Sequence, residues 1–153
     1  MGLATETGRM LAPDHVLVPT FGRPREDEAL AYALETFPDA DVTLLAVVTP
    51  LGERMSEGGI LERDDERTTQ ARERATTLLE AVDEPTASER VRLETAEGRP
   101  GTVVPQYASE ERVDHVVLYG HRNDTKGFVQ RFLGRGIAST VVERTSSPVT
   151  VLE

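Results

Sequence analysis

The sequence predicts one α/β domain: an open, parallel five-stranded sheet with helices on both faces. Three observations predict it. Short apolar runs alternate with segments of helical period along most of the chain, the pattern of strand, crossover helix and strand. Val16-Leu17-Val18 and Val116-Val117-Leu118-Tyr119 have no polar interruption, as strands buried on both faces do. The 153 residues contain no internal repeat, linker or low-complexity tract, which suits one domain with a substantial core.

Residues 1–13 lack hydrophobic periodicity and read as a flexible tail, leaving 14–153 as the domain. A first strand is expected near 15–19, followed by a helix near 25–37 with Leu30, Ala33, Leu34 and Phe37 on one face. Glu26, Asp27 and Glu28 fall at the positive N-terminal end of that helix, and Pro38-Asp39 stops it. A second strand near 42–48 leads into a polar loop, Pro50 to Gly59, expected over the carboxyl edge of the sheet. The next helix, near 61–83, has the stripe Ala71, Ala75, Leu78, Leu79 and Val82. A strand near 90–95 and a helix near 101–112 follow, with Pro105 in or near the first turn of that helix. A strand near 114–119, a helix near 136–145 and a strand at 148–152 complete the order.

Composition narrows the function. Acidic residues outnumber basic ones 27 to 17, the formal net charge is −10, and Lys126 is the sole lysine. Such a surface repels nucleic-acid phosphates, so no nucleic-acid partner is expected. Abundant carboxylate with almost no lysine suits a halophile's proteome, where salt screens self-repulsion; arginine-rich codon usage is the alternative. No stretch is long and apolar enough for a membrane span, and Met1 to Arg9 lacks the features of a signal peptide, so a cytoplasmic protein is expected. Without cysteine there is no disulfide, thiol catalysis or cysteine metal site.

Gly120 ends the apolar run at Tyr119 and opens a segment bearing Gly127, Gly134 and Gly136 that leads into a helical pattern. A strand, a turn rich in backbone NH groups and a helix N-terminus are the parts that cradle phosphates. In this acidic chain the segment is basic, with Arg122, Lys126, Arg131 and Arg135 against Asp124 alone. The plainer reading is that the glycines permit turns and the arginines pair with surface carboxylates.

The same segment resembles the nucleotide-binding pattern of the universal stress protein family, G-x2-G-x9-G-S/T, with Gly120 at the first glycine and Gly134 near the last. Pro148-Val-Thr-Val-Leu152 is similar to the closing strand of that family, and His15 to Pro24 with Glu28 to Leu34 is similar to its first strand, loop and helix. Val42 to Val48 resembles its second strand, and Glu97 to Gly101 the loop entering its third helix, so the likeness runs from about His15 to Glu153. It implies strand order 3-2-1-4-5, as in the adenine nucleotide alpha hydrolase-like fold, a ligand crevice between the first and fourth strands, and a homodimer through the closing strand, with Val149, Val151 and Leu152 at the interface. It also implies an adenine nucleotide, ATP (with Mg) or AMP, and a role as a sensor or regulatory module in stress response.

Carried onto this chain, the implied nucleotide site comprises Pro19, Thr20, Phe21, Val47, Tyr119, Gly120, Arg122, Asn123, Gly134, Arg135, Gly136 and Ile137. Arg23 and Arg25 make the first loop basic as well. Three positions depart from the pattern. Phe21 stands where nucleotide-binding members have Asp, Asn123 where they have the second glycine, and Arg135 where they have Ser or Thr, with Gly134 one residue late. Phe21 offers a face for a purine and Arg135 a charge-assisted donor. Two alternatives stay open: a dimeric interaction protein of the same fold without nucleotide, and a slow ATPase.

Other chemistry finds little support. His15 and His115 begin strands, His121 lies in the glycine segment, and no pair has metal-ligand spacing, so no metal is expected. Asp64-Asp65-Glu66 and Ser109-Glu110-Glu111 read as solvated helix faces, and neither a G-x-S-x-G elbow nor a complete phosphate loop occurs. No catalytic residue is assigned, and the downstream partner stays unnamed.

Overall fold

The structure, a computed structural model, describes residues 13–49, 57–84, 86–120 and 136–153, with only the backbone of 57–65. The elements are β1 (His15–Thr20), α1 (Glu26–Thr36), β2 (Asp41–Val48), α2 (Glu57–Ala81), the single turn α3 (Ala87–Arg90), β3 (Val91–Glu97), α4 (Pro100–Glu110), β4 (His115–Tyr119), α5 (Ile137–Arg144) and β5 (Val149–Leu152). All strand pairs are parallel and the order is β3-β2-β1-β4-β5, the order implied by the family resemblance.

Strand alternation divides the core between two faces. Val16, Val18, Val42, Leu44, Val117 and Tyr119 pack under α1 and α2, against Leu30, Leu34, Ala71 and Ala75. Leu17, Leu45, Val47, Val116 and Leu118 pack on the other side against Val104 and Ala108 of α4 and Val141 of α5. Burying each such valine or leucine contributes about 1.5–3 kcal/mol, so both layers hold the sheet.

Several polar groups lock this arrangement. Arg90 donates to the carbonyls of Leu34, Phe37 and Ala40 at 3.1, 2.7 and 3.1 Å, placing a cation at the negative end of α1. Asp114 accepts from the backbone NH groups of Asp14 and His15 at 2.9 and 3.0 Å, joining the amino ends of β1 and β4. His15 shares a hydrogen bond with Thr43 at 2.9 Å and His115 one with Thr150 at 2.7 Å, each across to a neighbouring strand. Close approach of α4 to α5 requires Gly101, where a Cβ would stand 2.6 Å from Thr140 Cγ2.

Three local readings are corrected. Pro105 lies inside α4 and past its first turn, because the helix begins at Pro100, whose fixed φ and missing NH suit that first position. Residues 57–59, expected in a loop, begin α2, while residues 50–56 lie outside the described residues. The turn α3 has no signature of its own in the sequence; four residues are too few to show a period.

Candidate functional site

β1 runs beside β2 through six paired positions, from His15↔Asp41 to Thr20↔Ala46. Against β4 it pairs only at Val16↔His115 and Leu17↔Val116. Pairing between the two central strands therefore ends toward their carboxyl ends, at the point where the winding direction reverses. Pro19, which has no NH to donate, sits in β1 beyond the last pair.

The β1–α1 loop is organised by one residue. Glu26, 2% exposed, accepts from the Thr20 hydroxyl at 2.5 Å and from the backbone NH groups of Phe21 and Arg23 at 2.9 and 3.1 Å. In the sequence its position suggests a helix-dipole partner; the fold also buries it as the acceptor for the loop. The signal available was an acid six residues after a strand-ending threonine, which has no meaning until α1 folds back on β1.

Arg25, the residue before α1, lies in the left-handed region, with φ 69°. Its exposed side chain meets Glu28 at 2.9 Å and the ring of Tyr119, whose centroid is 5.1 Å from the guanidinium carbon. The Glu28 hydrogen bond holds the guanidinium above its ordinary pKa, and the guanidinium in turn holds Glu28 below the usual carboxylate value. A loop residue held against its backbone preference is pre-set in one conformation.

The site residues expected from the sequence fall on both faces. Thr20 and Tyr119 are buried on the side of α1 and α2. Phe21, Val47 and Ile137 share the cluster on the side of α4 and α5. Gly120 is buried, donates its NH to the Leu152 carbonyl at 2.8 Å, and would place a Cβ 2.5 Å from Val151 Cγ1 and 3.3 Å from Ala138 Cβ. A side chain there would collide with β5, so packing alone accounts for that glycine. Gly136 is different: it precedes α5, and among the described residues nothing crowds it and no side chain caps the helix start. Arg122, Asn123, Gly134 and Arg135 lie outside the described residues, as does His121.

Two cavities open at this end of the sheet. One, about 660 Å³, lies between the β1–α1 loop and α2, with Pro24, Leu78 and Ala81 as its apolar part and Arg23, Arg25 and Arg74 among its polar part. The other, about 110 Å³, lies over the end of β2 between Phe21, Val47 and Thr49 and the α2 side chains of Arg67, Gln70 and Arg74. The sequence alone gives Arg67, Gln70 and Arg74 no sign of belonging to a site, since it shows only the apolar stripe of that helix. No group of metal-ligating side chains occurs among the described residues. No described helix is long and apolar enough to cross a membrane.

A family model described as the universal stress protein family matches residues 13–153. Among solved structures, the chain is similar to the universal stress protein UspA from Lactobacillus plantarum, with a TM-score of 0.74 and 20% identity over 93% of this chain and 99% of that one. It is similar to a universal stress protein in complex with cAMP, with a TM-score of 0.62 and 17% identity over 93% and 98% of the two chains. It is also similar to a universal stress family protein from Arabidopsis thaliana with AMP bound, with a TM-score of 0.56 and 13% identity over 92% and 91%. Among curated proteins no match is found.

Proposed function

Because the chain belongs to the universal stress protein family, we propose that it binds an adenine nucleotide and acts as a regulatory module in stress response. The observation that carries the reading is the end of pairing between β1 and β4 at Leu17↔Val116, which leaves the carboxyl ends of these two strands unpaired with each other at the switch point. Phe21 and Val47 supply an apolar wall there, and the uncapped start of α5 after Gly136 supplies backbone donors. Two similar structures contain cAMP and AMP, which favours a mononucleotide; ATP would enter with Mg. The working unit is proposed to be a homodimer through β5.

One observation favours a second reading, an interaction protein of the same fold without nucleotide. Glu26 uses the NH groups of Phe21 and Arg23, so the first loop keeps neither donor for a ligand. Titration calorimetry with AMP, cAMP, ADP and ATP in molar KCl separates the two. Heat and a thermal shift with an adenine nucleotide support the first; neither at millimolar nucleotide removes it. Phosphate release from ATP would identify a slow ATPase.

A further inference from the structure

We propose that α2 carries a phosphate subsite at the end of β2, built by Arg67 and Arg74 with Gln70. With 25 residues α2 is about 37 Å long, whereas the eight residues of β2 span about 26 Å. The helix packs on the sheet through Ala71 and Ala75, and Arg67, Gln70 and Arg74 line a cavity with the strand-end residues Val47 and Thr49. Spacings of three and four residues put all three side chains on one face.

Arg67 is incompletely satisfied. One arm of its guanidinium donates to the Thr49 carbonyl, while its Nε is buried and finds no acceptor among the described residues. A buried donor without a partner costs about 1–3 kcal/mol, so Arg67 is held beside the cavity at a cost in stability. Neither Arg67 nor Arg74 pairs with a carboxylate among the described residues, in a chain that has ten more acids than bases. Gly22, at φ 82°, passes beneath Arg74, and a Cβ there would stand 3.2 Å from Arg74 Nε. The loop thus leaves room for the guanidinium, while Glu26 occupies the loop amides.

Size selects the ligand group. About 110 Å³ is several times the roughly 30 Å³ share of a water molecule and well below the roughly 300 Å³ of a pocket for a whole ligand. A tetrahedral oxyanion fits, and paired guanidiniums match phosphate oxygens. The larger cavity shares Gln70 and Arg74 with the small one, so the body of a phosphate monoester can continue along α2 beside Leu78. For a mononucleotide this subsite takes the place of the start of α5 as the phosphate site, and it rests on the nucleotide reading only for the identity of that body; free phosphate and a nucleotide phosphate share the chemistry.

Calorimetry with inorganic phosphate, AMP and adenosine, at low and at molar KCl, tests it in the parent, Arg74→Gln, Arg67→Lys and the control Arg72→Gln, an exposed arginine of α2 that lines neither cavity. Phosphate or AMP should bind the parent and the control alike and bind Arg74→Gln roughly ten- to hundred-fold more weakly, the loss of one charged hydrogen bond. Arg67→Lys, which keeps the charge but not the fork, should weaken binding too. Thermal unfolding establishes that each variant is folded, and Arg74, exposed and without a hydrogen-bond partner among the described residues, gives the cleaner comparison. Phosphate binding without nucleotide binding supports the subsite and removes the nucleotide reading. AMP binding that is unchanged in Arg74→Gln and Arg67→Lys overturns the subsite and leaves the nucleotide reading standing. No binding of phosphate or AMP by the parent also overturns it.

Discussion

The Glu26 carboxylate accepts the Thr20 hydroxyl at 2.5 Å, so the first turn of α1 is tied to the last residue of β1. The same carboxylate satisfies two loop amides, which makes it the centre of the β1–α1 connection. Glu26→Gln should therefore lower stability by about 2 kcal/mol, within the range for hydrogen bonds to a charged group. Its amide would bring an NH2 toward groups that are themselves donors. Urea unfolding measures the change; an unaltered midpoint would mean that the loop finds other acceptors.

Gly120 is a packing residue in this structure. Gly120→Ala should cost about 1–3 kcal/mol, because the new methyl meets Val151, whose β-branched side chain has little rotamer freedom. Val151→Ala in the same chain should recover part of that loss. A double-mutant cycle with no favourable coupling would show that the strain is relieved elsewhere.

Burial lowers the pKa of His115 below its ordinary value of 6.5. The half-buried ring lies 5.0 Å from the Phe37 ring and shares its hydrogen bond with Thr150. Between the folded and unfolded pKa values the unfolded chain binds more protons, so stability rises with pH across that window. This contribution is present above 6.5 and is lost as pH falls through the folded value. Urea midpoints followed from about pH 8 to about pH 5 should show that slope, and His115→Asn should flatten it. Equal slopes in the two proteins would assign the effect to other groups.

β5 lies at one edge of the sheet and β3 at the other. The Pro148 and Leu152 carbonyls accept from Val116 and Gly120 at 2.9 and 2.8 Å, so alternate residues face β4 and the backbone groups of Val149 and Val151 face outward. The β3 edge bears Arg92 and Glu94, charges of the kind that discourage strand addition, whereas β5 is Val-Thr-Val-Leu. Sedimentation equilibrium in high salt should give twice the chain mass. Val149→Pro removes an outward NH and no ladder bond, and should shift the protein toward monomer. A parent chain that is monomeric at tens of micromolar would refute pairing through β5.

The sequence by itself determined the element order and the fold class, because apolar periodicity is a local property: Val16 to Val18, Val42 to Val48 and Val116 to Tyr119 are legible as buried strands without their neighbours. Strand order came from the family resemblance, since periodicity does not say which strands pair. Part of the candidate site, Phe21, Val47 and Gly136, likewise came from that resemblance. What only the tertiary structure decided are the partners of polar groups and the faces they occupy. Glu26 reads as an acid at the positive end of a helix until α1 folds over Thr20, and Arg90 reads as the start of a strand until α1 ends beside it. Tyr119 and Val47 both read as walls of one crevice, yet strand alternation sends their side chains to opposite faces of the sheet. Arg67 and Arg74 read as part of a charged helix until α2 meets the end of β2 at Thr49. Burial of an apolar side chain is written in its own neighbourhood, whereas the environment of a charge is set by segments distant in sequence that only folding brings into contact.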